Sequence, residues 1–157
     1  QSRVFRLIPG LADAEFLRHG SIHRNTYLNA PASLAPHLAL RDVPTTLFAG
    51  QLTGVEGYTE STATGLMAAI NLDRLSRGEA PVLPPPTTML GALYRYLREA
   101  DPAHFQPMNA NFGLLDDLAD APRDKREKRA RFAGRSLQAL EDWRQESGII
   151  HPIVQRG

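Results

Sequence analysis

The residues best suited to chemistry lie between positions 50 and 58, where Gly50, Gly54 and Gly57 are interleaved with Gln51, Thr53, Val55, Glu56 and Tyr58. Glycine carries no side chain, so a second surface can approach the backbone closely at such positions. Thr53 and Glu56 stand at capping-box spacing, which predicts that Thr53 bonds the amide of Glu56 while Glu56 reaches back to the amide of Thr53. A helix opened in this way aims its first amides and the positive end of its dipole at whatever lies ahead, and favours an anionic or electron-rich group there. Tight helix–sheet packing behind a well-capped start accounts for the same residues, and is the commoner use of such a segment. The pattern is not the dinucleotide fingerprint G-x-G-x-x-G.

Three other groupings carry reactive side chains. Glu15, His19 and His23 are four apart, the spacing of a divalent-metal site on a helix, but Gly20 interrupts the segment and Phe16-Leu17 reads as strand, so no metal site is assigned. His23-Arg24-Asn25 offers a ring, a cation and an amide in one loop, with Arg24 available to a carboxylate. Between residues 123 and 135, seven basic side chains (Arg123, Lys125, Arg126, Lys128, Arg129, Arg131 and Arg135) face only Asp124 and Glu127. Such a run is either a solvated helix face, with Glu127 and Arg131 as an exposed pair, or a surface for nucleic-acid phosphates.

The elements that must position these groups fall into four stretches. Residues 1–44 are loop-rich, punctuated by Pro9-Gly10, Asn29-Ala30-Pro31 and Pro36, with short strands at 14–18 and 26–28. Residues 45–50 read as a buried strand, followed by a small-residue helix running to about Arg77. The prolines at 81–86 form a stiff linker. After them Met89, Leu90, Leu93, Tyr94 and Leu97 recur at helical spacing, and 105–114 has no period and reads as loop. A last helix over 123–147 is predicted, with Asp120 as cap, Pro122 in its first turn, Gly148 as its stop and an apolar stripe of Phe132, Ala133, Leu137, Leu140 and Trp143.

Composition narrows the class. The chain has 157 residues, enough for one ordinary domain, and a net charge of +1, so no global field advertises a nucleic-acid or membrane-surface protein. Hydrophobic residues make up 42%, ample for a core. Cysteine is absent, which removes disulfides, thiolate metal sites and a cysteine nucleophile from this stretch of sequence. No apolar run reaches the roughly 18 residues of a membrane span, and the expectation is a cytoplasmic protein without a membrane partner.

Four strings, in order, resemble one family. Phe48-Ala49-Gly50-Gln51-Leu52-Thr53-Gly54-Val55-Glu56-Gly57-Tyr58-Thr59-Glu60-Ser61 is similar to the second flavin-binding segment of the methylenetetrahydrofolate-dependent tRNA (uracil-5-)-methyltransferases. The others are Glu15-Phe16-Leu17-Arg18-His19-Gly20 running into His23-Arg24-Asn25-Thr26-Tyr27, then Pro85-Pro86-Thr87-Thr88-Met89-Leu90-Gly91-Ala92-Leu93, and Phe105-Gln106-Pro107-Met108-Asn109-Ala110-Asn111-Phe112-Gly113-Leu114. Together they span about residues 15 to 114; the tail helix is less diagnostic. Related tRNA wobble-uridine modification flavoproteins share only a segment like the first.

The resemblance implies an α/β fold, the carboxy-terminal part of a two-dinucleotide-type FAD-binding flavoprotein with a helical tail. Residues 1–78 would belong to the FAD-binding domain and 79–157 to a Pro-rich linker and helical region. It implies FAD held by Gly50, Gln51, Thr53, Gly54, Val55, Gly57 and Tyr58, with Glu56 and Glu60 turned away from the ring or bonded to backbone. It further implies methylenetetrahydrofolate and NAD(P)H as co-substrates, methylation of carbon 5 of a T-loop uridine, and tRNA as partner. His23, Arg24, Asn25, Asn109 and Asn111 become candidates for the folate or substrate, and Lys125, Arg126, Lys128 and Arg129 for RNA. The family's cysteines and its first dinucleotide-binding segment have no counterpart here, so a missing amino-terminal part of the same enzyme is expected. The rival reading is a non-catalytic RNA- or protein-binding module derived from a flavoprotein.

Overall fold

Prolines and glycines divide the chain into helices of very unequal length joined by long irregular segments. The computed structural model describes residues 2–16 and 26–149. In chain order they form α1 (Ser2–Phe5), α2 (Ala30–Ser33), a 3-10 turn (Gly50–Thr53), α3 (Tyr58–Ser76), α4 (Met89–Glu99), a second 3-10 turn (Phe112–Leu114) and α5 (Lys125–Glu146).

The strands expected of an α/β fold are not found among these residues. Pairing there is limited to isolated bridges, antiparallel at Leu34–Leu40 and Ala39–Leu47 and parallel at Val55–Met108. Apart from the Leu47 bridge, residues 45–49 are irregular, and Gly50 already belongs to the first 3-10 turn. The amide of Leu40 donates to Thr46 O and that of Phe48 to Leu38 O, while Thr46 N turns back to Val43 O. These bonds close within one tight loop, and no ladder extends from it. Residues 14–16 and 26–28 are likewise irregular, and residues 17–25 lie outside the described residues.

The core forms where α4 meets the loops before and after it. Leu93, Tyr94 and Leu97 join Ala30, Leu34, Leu38, Val55, Met67 and Phe105 in one buried cluster that draws on both sides of position 78. The helical spacing read from the sequence is thus the inward face of α4. Thr88 caps it, its Oγ1 accepting from Gly91 N at 3.0 Å. Leu38 takes φ 65, a conformation costing a non-glycine residue about 1–2 kcal/mol. It is 2% exposed, and burying a leucine is worth about 1.5–3 kcal/mol, so packing outweighs the strain.

Side chains replace strand pairing in holding the linker. Asn71 on α3 donates Nδ2 to Val82 O at 3.0 Å and accepts Val82 N on Oδ1 at 2.8 Å, closing both backbone bonds of one extended residue. On the other side of the linker, a Cβ on Gly91 would lie 1.9 Å from Pro85 O, so the proline run and α4 meet backbone to backbone.

The last helix begins at Lys125 and is capped by Asp124, whose Oδ1 accepts Glu127 N at 2.8 Å; Asp120 and Pro122 lie outside it. Its buried side also differs from the predicted stripe. Leu137 and Leu140 are exposed, and Phe132, Ser136, Ala139 and Trp143 face the body, the spacing of a face that looks inward only once per turn. Ser136 Oγ donates to Thr87 O at 2.8 Å and fixes this rotation.

Candidate functional site

The segment 50–58 folds as two glycine-hinged turns. Gly50 at φ 63 donates its amide to Thr64 Oγ1 on α3 at 2.8 Å, and Thr53 Oγ1 donates to Gly50 O at 2.7 Å. Gly54 at φ 86 ends the 3-10 turn, and Gly57 at φ 102 is the N-cap of α3. The capping box predicted from Thr53 and Glu56 is not formed. Glu56 N donates to Met108 O at 3.0 Å and Met108 N to Gly54 O at 2.9 Å, so loop 105–114 takes the bonds a helix would have used. Two left-handed glycines also forbid a helix through this stretch, and it starts at Tyr58.

These bonds sort the candidate residues into two groups. Gln51, Gly57 and Tyr58 line an open cleft of about 270 Å³ together with Ser61. Tyr58 is 96% exposed, and the amides of Tyr58, Thr59 and Glu60 have no hydrogen-bond partner among the described residues. Gly50, Thr53, Gly54 and Val55 lie behind the cleft, buried. At Gly54 a Cβ would stand 2.5 Å from Phe105 Cζ, so its bareness serves the packing of that ring.

Glu60 folds back over the turn. Its carboxylate lies where a Cβ on Gly57 would fall, 2.2 Å from Oε2, and Oε1 accepts Ala110 N at 3.1 Å. It is bonded to backbone, as the sequence reading required, and it ties the helix start to loop 105–114. Glu56 is exposed.

Of the other candidates, His23, Arg24 and Asn25 fall outside the described residues, as do His19 and hence most of the Glu15 grouping. Asn109 and Asn111 are exposed. Asn111 spends its amide locally, Oδ1 accepting Gly113 N at 2.9 Å and Nδ2 donating to Asn109 O at 3.0 Å. Along α5, Glu127 and Arg131 form the expected exposed pair at 2.8 Å. Lys128 pairs with Asp117 at 3.0 Å, whereas Lys125, Arg126 and Arg129 have no carboxylate partner among the described residues.

Sequence reasoning missed Thr64, Glu60's bond to Ala110, and Phe105 as the ring against Gly54. All join positions 14 to 51 residues apart, and no local pattern marks such pairs. Among the described residues, no helix is long and apolar enough to cross a membrane.

Residues 1–80 match the family described as glucose inhibited division protein A, and the chain belongs to that family, one of FAD-binding flavoproteins. Over 143 residues it is 53% identical to methylenetetrahydrofolate–tRNA-(uracil-5-)-methyltransferase TrmFO of Geotalea daltonii, covering 91% of this chain and 32% of the relative. The protein of the same name from Brevibacillus brevis is 51% identical over 146 residues, 93% of this chain and 33% of the relative. That of Heliobacterium modesticaldum is 48% identical over 153 residues, 98% and 35% respectively. The chain therefore spans about a third of the length of the curated relatives it matches.

Proposed function

We propose that this chain is part of a folate- and FAD-dependent enzyme that methylates carbon 5 of a T-loop uridine in tRNA. The observation that carries the reading is identity of 48 to 53% sustained over 91 to 98% of the chain with methyltransferases of that name. The matched span of 143 to 153 residues takes in most of the chain.

The turn fits a flavin rim. Gly57 lines an open cleft with the Glu60 carboxylate beside it, three amides at the positive end of a 19-residue helix have no other partner among the described residues, and Gln51 and Ser61 add polar edges. In this reading Gln51, Gly57 and Tyr58 contact the cofactor, while Gly50, Thr53, Gly54 and Val55 shape the turn from behind. When bound, FAD supplies the reducing equivalents that turn a methylene unit into a methyl group. The chain's own part is binding and orientation: α3's amides stabilise negative charge at the rim, and Glu60 holds loop 105–114 beside it.

His23, Arg24, Asn25, Asn109 and Asn111 are proposed to contact methylenetetrahydrofolate or the substrate, and NAD(P)H to restore the reduced flavin. Lys125, Arg126, Lys128 and Arg129 are proposed to meet tRNA. Addition of a thiolate to the uracil ring is assigned to residues outside this cysteine-free chain, in an amino-terminal part of the same cytoplasmic enzyme.

The test is a label-transfer assay on the purified complete protein. With carbon-labelled methylenetetrahydrofolate and NAD(P)H, label should enter a tRNA transcript bearing the T-loop uridine and not one carrying cytidine there, and the protein should show flavin absorbance. RNA binding without flavin or label transfer would instead establish the non-catalytic module.

A further inference from the structure

We propose that Phe112 and the start of α5 form a nucleotide-binding notch that stacks one unpaired base of an RNA strand. The choice of RNA as occupant rests on the function proposed above; the notch itself rests on separate observations.

Phe112 opens the second 3-10 turn and is 45% exposed, leaving part of its ring open to solvent. One side of it is supported: its centroid lies 5.7 Å from that of Phe132, which is 4% exposed and forms the floor. Cations surround the two rings. The Arg129 guanidinium stands 5.9 Å from the Phe112 centroid and the Lys128 ammonium 5.7 Å from that of Phe132. Together with Lys125, and with Asp117, whose carboxylate pairs with Lys128 at 3.0 Å, these groups border a cleft of about 390 Å³, leaving Lys125 and Arg129 as the cations without a carboxylate partner among the described residues.

Flat aromatic surface rimmed by cations complements a flat base joined to phosphates. An acidic peptide would satisfy the charge and leave the ring unused. Lys125 and Arg129 are one helical turn apart, about 6 Å along the axis, so they can hold the phosphates on either side of a single nucleotide. Stacking on an aromatic side chain flanked by basic groups is how single-stranded loops are bound, since an unstacked base always offers a face.

The position of the notch suits the proposed reaction. Ala110, whose amide is bonded by Glu60 of the cofactor turn, precedes Phe112 by two residues. That is a backbone reach of at most about 7 Å, so the notch is carried on the same loop that Glu60 ties to the turn.

The test measures binding of the complete protein to a T-arm RNA hairpin, a short oligouridylate and uridine monophosphate. Phe112→Ala and Phe112→Leu should weaken hairpin binding roughly 10-fold or more, and Phe112→Tyr should leave it nearly unchanged. Leucine keeps an apolar contact with Phe132, so its loss reports the missing ring and not a collapsed turn. Lys125→Gln with Arg129→Gln should reduce the slope of log affinity against log salt by about 1 to 2. The notch is refuted if Phe112→Leu and the double variant bind the hairpin with parental affinity and salt slope, the result expected if the rest of the protein covers it. It is also refuted if uridine monophosphate binds as tightly as the hairpin, which would mark a mononucleotide site. Label transfer with an unchanged KM in Phe112→Leu would sink the notch and leave the proposed function standing. Absence of transfer together with Phe112-dependent binding would do the reverse.

Discussion

Gly54 and Gly57 look alike in sequence yet answer to different neighbours. At Gly54 a side chain would meet the Phe105 ring at 2.5 Å in a left-handed backbone, so Gly54→Ala should cost about 2 kcal/mol or more, seen as a lowered Tm. Flavin loss in a Gly54 variant therefore reports packing before it reports cofactor contact. Thr64 is a second silent support. Its hydroxyl accepts Gly50 N and contacts the carbonyls of Glu60 and Ser61 at 3.0 Å, fully buried. Thr64→Val keeps the shape and orphans a buried amide, with an expected loss of about 1–3 kcal/mol in denaturant unfolding. Glu60→Gln preserves an acceptor for Ala110 N and removes a negative charge beside the open amides. In the complete flavin-loaded protein it should shift the flavin midpoint potential upward, checked by redox titration; an unchanged potential would place the flavin rim elsewhere.

At the scale of elements, the proline linker is held by two devices that leave no trace in helical or strand periodicity. Asn71 pairs with both backbone groups of Val82, and Gly91 lets α4 press onto Pro85. The second contact is backbone against backbone, so neither side can rotate away. Gly91→Ala improves intrinsic helix propensity by about 1 kcal/mol on an isolated helix. Here it should destabilise the protein, with a fall in Tm, because the new methyl would sit 1.9 Å from a carbonyl oxygen. A stabilised variant would show that the linker and α4 do not meet in this way.

The whole molecule should respond to acid in two stages. His37 has its Nε2 buried without a hydrogen-bond partner among the described residues, and burial lowers its pKa below the ordinary 6.5. The unfolded chain binds that proton more readily, so the stability from a neutral His37 is complete above about pH 6.5 and declines below it. Glu141 is lowered to about 2 by hydrogen bonds from Arg144 and Gln145, and Asp116 below its ordinary 3.8 by the hydrogen bond and charge of Arg95. Their contribution is present above pH 4.5 and lost as pH falls toward 2; both are solvent-exposed, which keeps it modest. Circular dichroism against pH should show both stages, with Glu141→Gln flattening only the lower one.

What the amino-acid order settled alone was whatever depends on neighbours within about four residues: the presence of α3 and α4, the breaks at proline and glycine, and the exposed Glu127–Arg131 pair; the caps it pointed to at Thr53 and Asp120 did not form. The family strings were legible for the same reason, being continuous. Tertiary structure decided the rest. It moved the start of α3 to Tyr58 because Met108, some fifty residues away, claims the amide of Glu56. It dissolved the strand at 45–50 into a loop whose bonds close on residues 38–43. It turned α5 so that Leu137 and Leu140 face solvent, because Ser136 binds the carbonyl of Thr87. A hydrogen bond between distant segments has no periodicity, and its competition with local bonding is resolved only when the chain is folded.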